Sequence, residues 1–323
     1  VTKRHYYVKR MGIKHLNRFL RANCQANIRQ VSLSEFRNKT VAVDASIYLF
    51  RFQADQSLIE GMYQMVGLFR HHGVRPLFVF DGKPPPEKDE VLRRRREEKR
   101  AAERLYKEAT RRLRECDADE DTADLEAEID QLRRKFVRVT GDDIERVKTL
   151  LRLMGAAYYE SPGESDGICV RLVQRKIAHA CLSEDMDMFA YGCPRVLRYL
   201  SLLRGTVVQY ELDGIVRTLG ISKTDFRRIC ILAGTDYNTG NGQHVDLNRA
   251  VKMYSKFSRD TSTNDFYDWI QTNNGSVDME SLRHCEEMFD TTQYHISRDL
   301  LTHTNYDMVE LRSYLREYGF VFA

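Results

Sequence analysis

Seven acidic residues stand where a shared cation site would need them. Asp44 and Asp81 each end an apolar run (40–43 and 76–80), and Asp185 and Asp187 follow a third, 178–182, within SEDMD. Glu164 and Asp166 open a helix behind Pro162-Gly163, where acids also suit the dipole, and Asp236 follows a helical stretch in ILAGTDYN. Carboxylates gathered in one cleft repel one another and rise in pKa unless cations neutralise them. An all-oxygen donor set without His or Cys selects Mg²⁺ or Mn²⁺ over zinc. Two such ions about 4 Å apart stabilise the attacking and leaving oxygens of a phosphodiester displacement. The bland alternative makes each acid a solvated loop residue, and the joint placement of all seven weighs against it.

Positioning those acids is the work of a parallel sheet. The runs 40–43 and 76–80 read as buried strands, and Leu58, Met62, Met65, Val66 and Phe69 give the stretch between them, 57–72, helical spacing. Strand–helix–strand order implies a right-handed crossover, and open parallel sheets bind ligands beyond the carboxyl ends of their strands. If 185–187 is extended, Asp185 and Asp187 point the same way. The same reading gives helices at 142–154 and 164–176 and strands at 156–159, 178–182, 196–200 and 206–210. Further helices fall near 211–219, 223–233 and 247–257 and after 278, with loops at 238–243 and 261–275.

Residues 83–136 break this rhythm. Their first half is basic, with Lys88, Arg93, Arg94, Arg95, Arg96, Lys99, Arg100 and Arg104; their second, from Glu115 to Asp130, is acidic. With few large apolar residues, such a segment projects into solvent or over a ligand rather than forming core.

The net charge of +4 says little about partners, and 42% hydrophobic residues fit a globular chain with a sizeable core. No apolar run reaches the roughly 18–20 residues of a membrane span, so no membrane partner is expected. Seven scattered cysteines, with no Cys-x-x-Cys pair, read as reduced thiols in a nuclear or other intracellular compartment.

In MGIKHL (11–16), VAVDASIY (41–48), PLFVFDGKPPP (76–86), LLRLMGAAYYESPGESD (150–166), SEDMDMFAYG (183–192) and ICILAGTDYN (229–238) the chain resembles the XPG/flap-endonuclease family of structure-specific 5′ nucleases. The resemblance implies an α/β, PIN-like nuclease core with a mainly parallel sheet, a helical arch and a C-terminal helical DNA-binding region. It divides the chain into an extension at 1–10, core at 11–82, arch at 83–136, core at 137–237 and a duplex-binding region at 238–323. It implies two Mg²⁺ ions, replaceable by Mn²⁺, on Asp44, Asp81, Glu164, Asp166, Asp185, Asp187 and Asp236, with Asp166 in place of the family's usual Glu. It makes Lys88 and Arg95 the cations that meet the scissile phosphate and Tyr48 the aromatic on which a base stacks. Gly12, Arg93, Arg94, Arg96, Lys99, Arg100, Arg134, Lys135 and Arg249 become further DNA contacts, reading shape rather than sequence. The implied partner is branched or flapped DNA, bound by a monomer.

Three features depart from the family. The run TGNGQHVDLNRAV (239–251) replaces a regular glycine-rich hairpin, so a K⁺ site is not supported. The arch carries an unexpected acidic half. The C-terminus lacks the glutamine-and-aromatic tail of clamp binders, so sliding-clamp binding is not expected. A 5′→3′ exonuclease or a junction-resolving nuclease, a non-catalytic scaffold for branched DNA and a single-stranded-RNA nuclease are the competing readings; loss of an acid would favour the scaffold, and none is lost, while the basic arch argues against the RNA nuclease.

Overall fold

The computed structural model describes residues 12–115, 122–238, 245–260, 262–273, 278–296 and 306–322. The expected extension, part of the acidic segment (116–121) and residues 239–244 of the 239–251 run lie outside the described residues.

Seven strands form one sheet: β1 (Ile28–Ser32), β2 (Thr40–Asp44), β3 (Arg75–Phe80), β4 (Ala157–Glu160), β5 (Ala180–Leu182), β6 (Arg195–Ser201) and β7 (Thr206–Glu211), in the order β1-β7-β6-β5-β2-β3-β4. The run from β6 to β4 is parallel; β7 and β1 add antiparallel at one edge. Central strands buried on both faces explain the unbroken apolar runs. Ala42, Leu77, Val79 and Cys181 join one core, while Val41, Val43, Phe78, Phe80 and Leu182 join the other.

The chain lays down β2, β3 and β4 in one direction and then returns to place β5 on the other side of β2. The reversal puts a crevice between the ends of β2 and β5, where Asp44 and Asp185 stand. Helices α2 (Ala45–Ala54), α3 (Leu58–His71) and α6 (Gly141–Leu153) cover one face; α1 (Leu16–Asn23), α7 (Ser165–Gln174), α8 (Asp187–Ala190) and α9 (Leu212–Leu219) cover the other.

Between β3 and α6 rise α4 (Asp89–Glu115) and α5 (Ala123–Lys135). At 1.5 Å per residue α4 is about 40 Å long. α5 packs back along its second half, with Ala109 and Leu132 buried and Tyr106 edge-on to Phe136 at 5.2 Å. The described acidic residues of α5 therefore lie along the outer part of the basic helix.

α10 (Lys223–Ala233), α11 (Leu247–Phe257), α12 (Phe266–Asn273) and α13 (Met279–Met288) form a helical body tied by Arg228 to Asp265 (2.8 Å) and Glu286 (3.2 Å). Two expectations are corrected here. The stretch 261–275 is not all loop: Phe266, Tyr267, Trp269 and Ile270 bury one face of α12, and the Asp265 carboxylate accepts from the Tyr267 and Asp268 amides. Nor do residues 306–322 belong to this body. α14 (Met308–Arg316) returns to α6, burying Leu311 and Leu315 in the α2/α3 core, with Phe320 edge-on to Tyr63 at 5.3 Å.

Candidate active site

The carboxylates meet at the crevice, held by serines as much as by their own elements. Asp44 accepts from Ser183 Oγ at 2.9 Å and Ser165 Oγ at 3.3 Å. Asp81 accepts from Ser46 Oγ at 2.5 Å and the Ser165 amide at 2.7 Å. Asp185 does not lie in an extended stretch. Its amide donates to Ser183 Oγ (3.0 Å) and its carboxylate accepts the Asp187 amide (2.8 Å), a tight turn at the start of α8 that still keeps the two acids together. Glu164 precedes α7 as its N-cap and Asp166 lies in the first turn. A side chain on Gly12 (φ +71°) would collide with the carboxylates of Asp185 and Asp187, so the backbone at this position comes close to the acids only because it carries no Cβ.

Asp44, Asp166, Asp185 and Asp187 are all buried, at 3%, 9%, 4% and 1% exposure. Burial, then the charge of Asp81, pushes the Asp44 carboxyl up to about 8. Burial first and Asp185 second raise both Asp166 and Asp187 well above the carboxylate range. Burial also raises Asp185, against the opposing pull of the Asp187 amide and Lys88.

Two arch cations enter the cleft. Lys88, at the foot of the arch and 6% exposed, sets Nζ 2.6 Å from Glu164 Oε1 and 4.6 Å from the centre of the Tyr237 ring. Arg95 Nη2 lies 2.5 Å from Asp236 Oδ2. Burial alone would lower the Lys88 ammonium, but Glu164, Asp166 and Asp187 together hold it above the ordinary lysine value. Beyond them opens a cavity of about 1910 Å³ between arch and core, lined by six of the seven acids (all but Asp187) and by Lys88, Arg95, Arg96, Lys99, Arg134 and Lys135.

Several expected DNA contacts lie elsewhere. Arg93, Arg94 and Arg100 are exposed on α4 but line no part of this cavity, because they turn to the side of the helix away from Lys88, Leu92, Arg95 and Lys99. Arg249 is exposed on α11, outside the cleft. Arg134 reaches the cleft yet pairs with Asp55 (2.9 Å) and Asp130 (3.0 Å).

The stacking expectation for Tyr48 is corrected. Its ring is fully enclosed, 6.0 Å from Phe52, because Ala45, Tyr48, Leu49 and Phe52 form the buried stripe of α2. Two residues on, Phe50 is 44% exposed on the cavity wall, with Lys99 Nζ 5.0 Å from its ring centre. The 45/48/49/52 spacing was the available signal: a helix there puts Tyr48 inside and Phe50 outside.

The donor set suits a hard divalent cation. It is all oxygen, burial and then mutual repulsion raise its enclosed acids above the ordinary carboxylate range, and Asp187 Oδ1 is buried without a hydrogen-bond partner. Among the described residues no three acidic, His or Cys side chains already meet at metal-centre spacing, so the acids are gathered but not converged, with Lys88 and Arg95 as the nearby positive charges.

A pH dependence follows. Between about pH 4 and 8 the metal-free folded protein keeps a proton on Asp44 that the unfolded chain has lost, so stability falls as pH rises through that window. Thermal denaturation in EDTA should therefore give a lower midpoint at pH 8 than at pH 5, and added Mg²⁺ should raise the midpoint more at pH 8. A flat or rising metal-free profile would contradict the buried-acid chemistry.

An α/β core with an acid-lined crevice at its topological switch point, roofed by a basic helical arch, defines a nuclease-type architecture. The XPG N-terminal domain matches residues 11–102 and the XPG I-region matches 155–236, and the chain belongs to the XPG/flap-endonuclease family. Flap endonuclease 1 of Drosophila mojavensis is 32% identical over 271 residues, 78% of this chain and 66% of the relative. Flap endonuclease 1 of Nematostella vectensis is 30% identical over 78% of this chain and 70% of the relative. The chain thus spans about two thirds of the length of such relatives. The catalytic core of Rad2 in complex with DNA substrate shares the fold at a TM-score of 0.61 and 20% identity, over 96% of both chains.

Proposed function

We propose that the chain is a structure-specific 5′ nuclease that hydrolyses DNA phosphodiesters at single-strand/double-strand junctions, with Mg²⁺ as cofactor. The carrying observation is the cleft itself, in which six acids share one cavity with inward-facing arch cations. The named relatives are flap endonucleases, and the Rad2 core is described with DNA, which supports flapped or branched DNA as the partner.

In this reading Asp44, Asp81, Glu164, Asp166, Asp185, Asp187 and Asp236 hold the ions, two by the family resemblance. When bound, the ions supply Lewis acidity toward the phosphodiester. Lys88 and Arg95 exchange Glu164 and Asp236 for the scissile phosphate and stabilise its developing charge. Phe50 offers its face to the base beside the cut, and Arg96 and Lys135 line the path of a single strand under the arch. Among the described residues no helix is long and apolar enough to cross a membrane.

The test offers 5′-flap, nicked, blunt, 3′-flap and four-way-junction DNA with Mg²⁺ or EDTA. The 5′-flap should be cut best, with no cleavage in EDTA. Phe50→Ala should lower flap cleavage by about 10-fold, within the range for one lost base–aromatic stack, with the thermal midpoint unchanged. Cleavage that survives EDTA, or a preference for the 3′-flap, would refute the assignment.

A further inference from the structure

Glu164 is held from behind by two tyrosines that none of the roles above uses. Tyr237 donates its hydroxyl to Glu164 Oε2 at 2.6 Å, while Lys88 donates to the other carboxylate oxygen at 2.6 Å. The hydroxyl of Tyr191, a residue 2% exposed, lies 2.5 Å from that of Tyr237. With the Tyr237 proton directed to Glu164, Tyr191 is the donor to Tyr237. The two rings are fixed edge-on against Phe289, at 4.7 Å for Tyr191 and 5.2 Å for Tyr237, and Gln174 Nε2 donates to the Tyr191 carbonyl at 3.3 Å. Neither tyrosine lines the cavity.

We propose that Tyr191 is a positioning residue of the cation site: through Tyr237 it fixes the carboxylate of Glu164 and so sets the site's affinity for a divalent ion. This rests on reading the cleft as a cation site. Buried tyrosine hydroxyls need a partner for their own sake, but a partner alone would not require the two to be in series and to end on a cleft acid. A hydrogen bond to an outer oxygen of a ligating carboxylate restrains its rotation and sustains its basicity, and loss of such partners typically weakens metal binding by about 10–100-fold. A phenylalanine at 191 keeps the ring packing and removes only the donor.

The test measures Mn²⁺ binding without DNA, from the free-ion signal in electron paramagnetic resonance, for the wild-type chain, Tyr191→Phe, Tyr237→Phe and the double variant, each with its thermal midpoint. Tyr237→Phe should weaken binding by about 10-fold and Tyr191→Phe by about 3-fold, the lower figure reflecting one bond more between it and the ligand. Because Tyr191 acts through Tyr237, the double variant should bind no more weakly than Tyr237→Phe. Wild-type affinity in Tyr191→Phe, or an equal loss on both backgrounds, would overturn the proposal in favour of a purely structural role. A wild-type chain that binds no Mn²⁺ would overturn the cation-site reading itself, a different result from an intact site indifferent to Tyr191.

Discussion

Asp185→Asn should lower single-turnover cleavage of a 5′-flap at saturating Mg²⁺ by at least about 1000-fold, close to 4 kcal/mol of barrier. The substitution keeps an oxygen where Asp185 accepts the Asp187 amide at 2.8 Å, so the turn into α8 survives. What disappears is one negative charge among acids that burial and Asp185 itself push well above their ordinary range. The same change should raise the thermal midpoint in EDTA, because Asp166 and Asp187 lose a repelling neighbour. Activity and metal-free stability thus move in opposite directions, which a misfolded variant cannot do. Cleavage at the wild-type rate, with Mg²⁺ dependence intact, would remove Asp185 from the chemistry.

Which acids gather was legible in the sequence because the sheet forces it. A parallel strand buried on both faces is an unbroken apolar run, and its end is marked by the first residue that must face solvent or a ligand; Asp44 and Asp81 are such residues. β1 was not legible: as an edge strand its residues Arg29 and Gln30 are exposed, and IRQVS carries no clean alternation. The stacking role for Tyr48 was implied by the resemblance alone, whereas the 45/48/49/52 spacing of α2 places that ring inside. α12 was masked by the Thr, Ser and Asn around its four buried residues. The serines that hold Asp44 and Asp81 lie inside the recognised stretches, but nothing local distinguishes Ser165 or Ser183 from a loop serine. Their role depends on bonds spanning 121 and 139 residues, set only by strand order.

Lys88→Ala should also slow the chemical step, by about 100- to 1000-fold, the range for removing one preorganised charge from a transition state, while the metal-free thermal midpoint moves the other way from Asp185→Asn. In the DNA-free chain the ammonium occupies Glu164, and Glu164, Asp166 and Asp187 together stabilise it. Removing it frees Glu164 Oε1 for a divalent ion, so half-saturation should come at an equal or lower Mg²⁺ concentration although the rate falls. The metal-free cleft loses a compensating cation, so Asp166 and Asp187 rise further and the midpoint in EDTA at pH 8 should drop. Single-turnover rates across a Mg²⁺ titration, with thermal midpoints in EDTA, separate these effects. A lost rate that excess Mg²⁺ restores would make Lys88 a support for the ion site. A lost rate at unchanged or tighter Mg²⁺ dependence puts its charge on the phosphate, as expected of a cation that reaches the acids from the foot of the arch rather than from the sheet.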